Sequence, residues 1–543
     1  MIIDKIAEKF VKEAFEKKIF KVVDLQKLKN EYSAKYKIRN LLNRDLVKVY
    51  KKFIQDKIFE KSEVFESLIR KRGIRTESGI ASVTIVTKPY ACPGKCIFCP
   101  TEKNVPKSYA SNEPGIMRAI LNDYDPYRQV VNRLNGYIGN GHSADKVEMI
   151  ILGGTFSFYP HRYQTDFIRR MFNALNKGVI VETHNSSLLK SRWETLCGAQ
   201  RTNETAEHRC VGLSVETRPD YISSIELKRF RKLGITRIEM GVQSTFDSVL
   251  KLNKRGHDIA EVKRAMKLMK DAGFKITSHL MPNLPGSNLE MDFQVFKDIF
   301  DDPDLKTDWL KIYPCSVVPF SELADLWKQG KHEVYKQEDL INLLISVKQI
   351  VPKYIRITRF IRDIPDGSIL AGATVSNLRQ ELQKRIKENP KKYHDCECIR
   401  CREIRDLKPS AQFLKLNCLE YLAQGGKEFF LSIDDESKNK LCANLRLRFP
   451  SQFFENKKHF MKELEGCALI RELHVFGSQI ALGEKKEKAS QHLGFGSQLM
   501  SKAEEIAKKA GFKKIAVISG IGVREYYRKL GYELEGTYMI KKL

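Results

Sequence analysis

Between about residues 80 and 313 the chain alternates short β-branched runs with helical stretches, and this rhythm limits the fold more than any other feature. The runs are Ser82–Thr87, Val147–Leu152, Val179–Glu182, Cys210–Glu216, Ile235–Gly241, Phe274–Leu280 and Trp309–Tyr313. Parallel neighbours need a crossover connection, and a helix is the usual one, so the alternation predicts a parallel sheet. The residues that end each run are also informative. Ser82–Thr87 leads into a cysteine loop, Val147–Leu152 into Gly153-Gly154-Thr155, and Cys210–Glu216 into Thr217-Arg218-Pro219. Ile235–Gly241 leads into Val242-Gln243-Ser244, and Phe274–Leu280 into Met281-Pro-Asn-Leu-Pro-Gly286. Glycine and polar residues at strand C-termini belong to the active mouth of a β/α barrel. At 543 residues the chain is too long for one ordinary core, so two or three domains are expected.

The cysteine loop reads Cys92-Pro-Gly-Lys-Cys96-Ile-Phe-Cys99, a C-x3-C-x2-C spacing. A 4Fe-4S cluster takes four cysteine ligands. Three on one loop leave one iron open, able to bind the amino and carboxylate groups of S-adenosylmethionine and pass it an electron. A zinc knuckle also uses close cysteines, but it closes with a fourth ligand nearby, and the next histidine, His142, is far along the chain. A second group, Cys396, Cys398 and Cys401, follows at the break in the strand–helix rhythm near residue 390. Its spacing and basic flanks predict a metal site, with His394 and Cys418 as the candidates for a fourth ligand. The other six of the twelve cysteines are scattered, the pattern of reduced core thiols.

Lys and Arg outnumber Asp and Glu by 95 to 67, giving a formal charge of +28. Such an excess favours a polyanion, since each phosphate neutralised releases counterions. Residues 1–75 read as helical and basic, with Lys27, Lys29, Lys35, Lys37, Arg39, Arg44, Lys48, Lys51 and Lys52 crowding one stretch and Arg70-Lys-Arg-Gly-Ile-Arg75 ending it. Tyr32, Tyr36 and Tyr50 are interleaved, an arrangement suited to stacking on bases. The N-terminus is a charged amphipathic helix with no uninterrupted apolar run, so neither a signal peptide nor a membrane span is expected, and the location expected is cytoplasmic.

From about 411 to 543 strands come first and helices later. Gln491-His492-Leu493-Gly494-Phe495-Gly496 precedes the helical run Ser497 to Ala510. Successive backbone N–H groups at a helix N-terminus cradle a diphosphate, and glycine lets it approach closely. A strand-like run, Ala468–Phe476, lies before this loop, and Lys514–Ile518 follows the helix. Then comes Val523-Arg-Glu-Tyr526-Tyr527-Arg-Lys-Leu-Gly-Tyr532.

With these motifs assembled, residues 80–365 resemble the radical S-adenosylmethionine enzymes, and Q-x-x-G-x-G with the tyrosine segment resembles the Gcn5-related acetyltransferases (GNAT). Both in one chain and in this order resemble the family of the Elongator catalytic subunit and its single-subunit relatives. Thr87-Lys-Pro-Tyr-Ala-Cys92-Pro93, Glu216-Thr-Arg-Pro-Asp220, Arg362-Asp-Ile-Pro365, His394-Asp-Cys-Glu-Cys-Ile-Arg-Cys401 and Arg471-Glu-Leu-His-Val-Phe-Gly477 also look like that family. The resemblance implies an α/β multidomain protein: a basic helical tRNA-binding region over 1–75, a partial (β/α)6 radical barrel over 76–389, a zinc loop over 390–410 and a mixed α+β GNAT domain over 411–543.

It also implies roles for particular residues. Cys92, Cys96 and Cys99 would hold the 4Fe-4S cluster. Gly153, Gly154 and Thr155 match the turn that holds the methionine amino group, with Thr155 replacing the usual acid, and Glu216 and Gln243 lie where strand-end groups meet S-adenosylmethionine. Gln491 to Gly496 would take acetyl-CoA. Tyr527 matches the tyrosine beside the coenzyme A sulfur and Tyr526 precedes it, one of the two being expected in the core. The implied activity is carboxymethylation of the wobble uridine of tRNA at ring carbon 5, with acetyl-CoA as carbon source, by a chain that works without further Elongator subunits. The competing reading is a lysine acetyltransferase with a structural iron–sulfur region, with Glu472 or His474 as its general base. A non-catalytic tRNA scaffold is a third reading, and the open-iron motif argues against it.

Overall fold

The computed structural model describes residues 2–19, 21–38, 40–70, 79–177, 195–375, 377–405, 407–477 and 494–543. The expected strand Val179–Glu182, the basic run 71–75, Arg39, and Gln491, His492 and Leu493 lie outside them.

Four helices open the chain: α1 (Ile2–Glu16), α2 (Val22–Tyr36), α3 (Asn43–Gln55) and α4 (Glu63–Ile69). Apolar residues at helical spacing converge on a core of their own that includes Phe10, Leu28, Leu46, Phe53 and Phe65. The tyrosines expected to stack on bases are a correction. Tyr50 is in that core, and Tyr32 is buried with its hydroxyl donating to Glu13 at 2.5 Å. A ring at a core-facing helical position has the same spacing as one offered to a ligand, and only packing separates the two. Tyr36 is half-buried, with the ammonium groups of Lys35 and Lys9 at 5.7 and 5.9 Å from its ring. The basic face is partly neutralised within the bundle, where Lys48 pairs with Asp4 and Lys52 with Glu8.

Seven parallel strands follow in simple order: β1 (Ala81–Val86), β2 (Lys146–Leu152), β3 (Arg209–Thr217), β4 (Arg237–Gln243), β5 (Lys275–Leu280), β6 (Trp309–Ile312) and β7 (Arg356–Arg359). Six coincide with expected runs, and β7 extends the six-stranded expectation by one. In-register partners such as Arg237 and Lys275, or His279 and Lys311, point to the same face. One face carries Val83, Met149, Ile238, Ile276 and Leu310 into the helices as an apolar core. The opposite face carries Thr84, Glu148, Arg237, Glu239, Lys275 and Lys311 into an open lumen. A closed barrel fills its interior with branched apolar side chains. This open one instead carries polar and charged side chains on its inner face.

The last sheet contains β8 (Leu414–Ala423), β9 (Gly426–Asp435), β10 (Lys440–Phe449), β11 (Cys467–Val475), β12 (Lys514–Val517), β13 (Glu533–Glu535) and β14 (Tyr538–Lys542), in the order β13-β14-β12-β11-β10-β9-β8. The β8–β9 hairpin turns through Gln424 and Gly425, both at positive φ, as a two-residue turn that follows strand twist requires. β11 runs parallel to β12 only from Cys467 to Ile470, because β12 ends at Val517, and Arg471–Val475 continue past it.

The barrel and this sheet share one continuous core. Their seam carries buried ions. Arg471 grips Asp308 through bonds of 2.6 and 2.9 Å and Glu428 at 2.9 Å, Arg448 pairs with Asp271 at 2.6 Å, and Arg446 with Glu472 at 2.8 Å. Tyr538 donates to the Ala272 carbonyl, and the backbone of Gly520 lies so close to Val211 that a Cβ there would be 2.2 Å from its carbonyl oxygen. Among the described residues no helix is long and apolar enough to cross a membrane.

Candidate functional site

The lumen is one cavity of about 980 Å³. At its upper end Cys92, Cys96 and Cys99 follow β1, Gly154 and Thr155 follow β2, Glu216 ends β3 and Gln243 ends β4, and all of them line it. Each sits at a strand C-terminus, where the chain turns toward solvent and side chains can face a ligand.

Arg255 Nη1 donates to Cys96 Sγ at 3.0 Å, and Ser108 Oγ lies 2.9 Å from Cys99 Sγ. The Cys96 thiol is pulled down to about 5 by a hydrogen bond from Cys99, against its burial, with Arg255 and Arg218 adding to the effect. It is therefore a thiolate at neutral pH, the form that ligates iron. Cys92 Sγ instead lies 3.8 Å from Thr155 Oγ1. The three sulfurs do not all come within 4.8 Å of one another, as those of Cys396, Cys398 and Cys401 do. A wide cysteine triad lining the lumen suits a multi-iron cluster better than a single ion.

The donor set around the triad suits S-adenosylmethionine. Arg218 Nη1 and Arg255 Nε are buried donors, and Gln243 Oε1 a buried acceptor, with no hydrogen-bond partner among the described residues. A carboxylate and a ribose hydroxyl would satisfy them. Gly153 has φ +133°, and a Cβ there would sit 1.8 Å from Thr87 Oγ1, so only glycine fits. Its carbonyl accepts from the Tyr159 hydroxyl at 3.2 Å.

Other groups lining the lumen carry no motif in the sequence. Tyr109 donates to Glu216 at 2.7 Å, and Glu239 bonds His279 at 3.2 Å and pairs with Lys311. Burial would raise the Glu239 carboxyl, but Lys311 and His279 outweigh it and hold the group well below the usual carboxylate range. Near the lower end Trp309 is ringed by Arg237, Lys275 and Arg356 at 4.3, 5.0 and 5.2 Å. The available signal was period-two polarity inside β-branched runs, as in Arg237-Ile-Glu-Met-Gly-Val-Gln243.

His474 on β11 lines this same cavity. On the other side of β11, Gly494 (φ +73°) caps the helix Phe495–Lys509. A Cβ on Gly496 would lie 2.7 Å from the Tyr526 hydroxyl and 3.8 Å from Val475. Tyr526 is 38% exposed, whereas Tyr527 is buried against Tyr532. Glu472 is unsuited to act as a general base. Burial would raise its carboxyl, but Lys275 at 3.3 Å and Arg446 at 2.8 Å hold it far below the usual range.

Cys396, Cys398 and Cys401 converge, but neither His394 nor Cys418 joins them. His394 is exposed with Nδ1 near the Asp395 carbonyl, and Cys418 is exposed on β8. Lys348 Nζ and Gln383 Nε2 lie 3.5 and 3.9 Å from Cys401 Sγ.

Comparison with known proteins agrees with this architecture. The Radical SAM superfamily matches residues 86–299, the Radical_SAM C-terminal domain 307–388 and the Acetyltransferase (GNAT) family 455–532. The tRNA uridine(34) acetyltransferase of Methanocaldococcus infernus is 44% identical over 499 residues, 89% of each chain. Elongator complex protein 3 of Saccharomyces cerevisiae is 37% identical, covering 96% of this chain and 92% of its own. The solved structure of archaeal Methanocaldococcus infernus Elp3 with an N-terminal deletion (1–46) superposes with a TM-score of 0.73 at 41% identity, over 86% of this chain and all of that one. With a radical SAM half-barrel and a GNAT domain on one core and relatives of this identity along most of its length, the chain belongs to the family of tRNA uridine(34) acetyltransferases and Elongator complex protein 3, enzymes of the acyltransferase class.

Proposed function

We propose that this chain modifies the wobble uridine of tRNA, taking carbon from acetyl-CoA and using radical chemistry to leave a carboxymethyl group on ring carbon 5. One observation carries the reading: a single cavity reaches from Cys92, Cys96 and Cys99 to His474, a residue of the acetyltransferase sheet. When bound, S-adenosylmethionine on a reduced cluster supplies a carbon radical able to take hydrogen from an acetyl methyl group, which is too weakly acidic for easy ionic alkylation of uracil. The residues of this chain position and enclose. Cys92, Cys96 and Cys99 would hold the cluster. Gly153, Gly154, Thr155, Glu216 and Gln243 would surround S-adenosylmethionine, with Arg218 toward its carboxylate. Gly494, Phe495 and Gly496, with Gln491, His492 and Leu493, would bind the coenzyme pyrophosphate at a helix N-terminus. Tyr526 and Tyr527 form the tyrosine segment beside it, and Tyr526 is the one that reaches the glycine turn. The buried triad Cys396, Cys398 and Cys401 would take zinc, holding the linker to the barrel. The +28 charge suits an RNA polyanion, and an anticodon loop lets the uridine leave its stack cheaply.

The test is an anaerobic reaction with tRNA, S-adenosylmethionine and acetyl-CoA carrying carbon-13 in the acetyl group, followed by mass spectrometry of the nucleosides. Labelled carboxymethyl uridine is expected with the wild type, and none with Cys96→Ala, whose tRNA binding is unchanged. Product from the Cys96→Ala enzyme would overturn the radical step. Acetylated lysine peptides without modified uridine would favour protein acetylation instead.

A further inference from the structure

The lower end of the lumen carries more positive charge than its own acids neutralise. Arg237 opens β4, Lys275 opens β5, Trp309 opens β6 and Arg356 opens β7, and all four line the cavity at the strand ends away from the cysteine loop. The three cations among them each have a carboxylate: Glu148 for Arg237, Glu472 for Lys275 and Glu403 for Arg356. Arg400 and Arg405 line the same cavity, and neither has an acidic partner among the described residues. Arg400 is held next to the start of β7 by its own short helix, Ile399–Arg402. The Ile399 N–H donates to the Ile355 carbonyl at 2.9 Å, and Glu403 reaches back to Arg356.

Three N–H groups at this end are buried with no hydrogen-bond partner among the described residues: Arg400 Nε, Arg237 Nε and the indole Nε1 of Trp309. Arg237 is 3% exposed, so its Nε does not turn to solvent. Buried donors left unpaired are costly, and native structures leave few. Three of them beside a guanidinium without a counterion call for an oxyanion, which brings both charge and several acceptor lone pairs. The acetyltransferase sheet borders this end. His474 stacks on Phe476 at 4.3 Å, and the Phe476 ring lies 5.9 Å from the Arg356 guanidinium.

We propose that the base of the lumen is a carboxylate site, with Arg400 and the Trp309 indole as donors, and that it holds the acid left on the two-carbon arm of the modified uridine. The assignment rests on the function proposed above and names a subsite within it. Water adds to the thioester carbonyl and the carbon–sulfur bond breaks. Coenzyme A leaves as the thiol with one proton of the water, the other proton goes to solvent, and the arm keeps a carboxylate. The neutral thioester offers these donors no charge, whereas the carboxylate does, so the site favours the hydrolysed arm. A phosphate of the RNA backbone has similar oxygens, but a flipped base leads into the cavity while the chain stays at its mouth.

The experiment uses the full-length anaerobic protein with 5-carboxymethyluridine, its methyl ester, acetate and inorganic phosphate as probes, and follows binding by ligand-detected NMR. The wild type is expected to bind the acid about tenfold more tightly than the neutral ester. Acetate is expected to displace the acid where an equal concentration of phosphate does not. Trp309→Phe keeps the ring and removes the N–H, and Arg400→Gln keeps a donor and removes the charge. Each is expected to cut the preference for acid over ester by about threefold or more, with affinity for the ester unchanged. Equal binding of acid and ester by the wild type would overturn the site. So would a preference retained in both variants. If Arg400→Gln does not fold, the wild-type comparison and Trp309→Phe still decide. Displacement by phosphate and not by acetate would overturn the carboxylate assignment and give these donors to RNA phosphate. No labelled carboxymethyl uridine in the carbon-13 reaction, with the acid–ester preference intact, would instead overturn the proposed function and leave the carboxylate site standing.

Discussion

Cys96 shows how strongly its neighbours set the chemistry of a site. A buried thiol unaided has its pKa raised, since burial disfavours the charged form. Here the hydrogen bond from Cys99 and the guanidinium of Arg255 reverse that, and the group titrates at about 5. Replacing Arg255 by Gln removes the charge and keeps a donor. The midpoint for alkylation of Cys96 in iron-free protein is expected to rise by about one pH unit, ~1.4 kcal/mol less stabilisation of the thiolate. Iron uptake on reconstitution falls with it. An unchanged midpoint would remove Arg255 from this role. The cysteine spacing was plain in the sequence. Arg255 was not, because it comes from a loop between two helices more than 150 positions away and no local pattern marks it.

Among the elements, the helices α1–α4 have a core of their own and meet the barrel at few points, one being the bond from Arg70 to the Gly141 carbonyl at 3.2 Å. Removing residues 1–70 is expected to leave the far-ultraviolet signal of the rest intact. It should weaken tRNA binding and flatten its dependence on salt, by a slope of about 0.7–0.9 for each phosphate that the bundle neutralises. A filter-binding series at several salt concentrations checks this, and an unchanged slope would clear the bundle of RNA binding. The other strands of the half-barrel were legible because apolar, mostly β-branched residues alternate with polar ones along their runs. β7 was not, since Arg356-Ile-Thr-Arg359 places a cation at each end of a short run. It pairs because β6 presents an open edge, a property of the sheet and not of the segment.

For the whole molecule, the seam between barrel and acetyltransferase sheet is held by ions fully out of water. Removing one partner strands the others, at a cost of about 3–5 kcal/mol. Asp308→Asn leaves Arg471, Arg446 and Lys270 without their common carboxylate, so a destabilisation of that size in urea unfolding is expected. Acid acts on the same groups. Burial alone would raise Asp308, but Arg471, Lys270 and Arg446 hold it well below its ordinary 3.8, as Lys275 and Arg446 hold Glu472 below 4.5. The folded carboxylates thus bind fewer protons than the unfolded ones, so stability is full above the unfolded values and falls as pH drops beneath them. The urea midpoint is expected to be steady above about pH 5 and to decline steeply below about 4, less so in Asp308→Asn. A pH-independent midpoint would show that these ions do not support the seam.

What the sequence determined was local. Thiol spacing on one loop, glycine turns at strand ends, strand–helix rhythm and a glycine loop before a helix each arise within a dozen residues, where covalent geometry fixes what side chains can reach. From these came the half-barrel, the acetyltransferase sheet and the residues around each. Only the tertiary structure decided which of those groups meet. It buried Tyr32 and Tyr50 in a core, tied Glu472 into a seam, turned His474 into the lumen beneath the cysteine loop, and gathered Cys396, Cys398 and Cys401 without His394 or Cys418. Such meetings depend on packing between separate segments of the chain, where the balance of burial and charge is settled by neighbours that no single stretch contains.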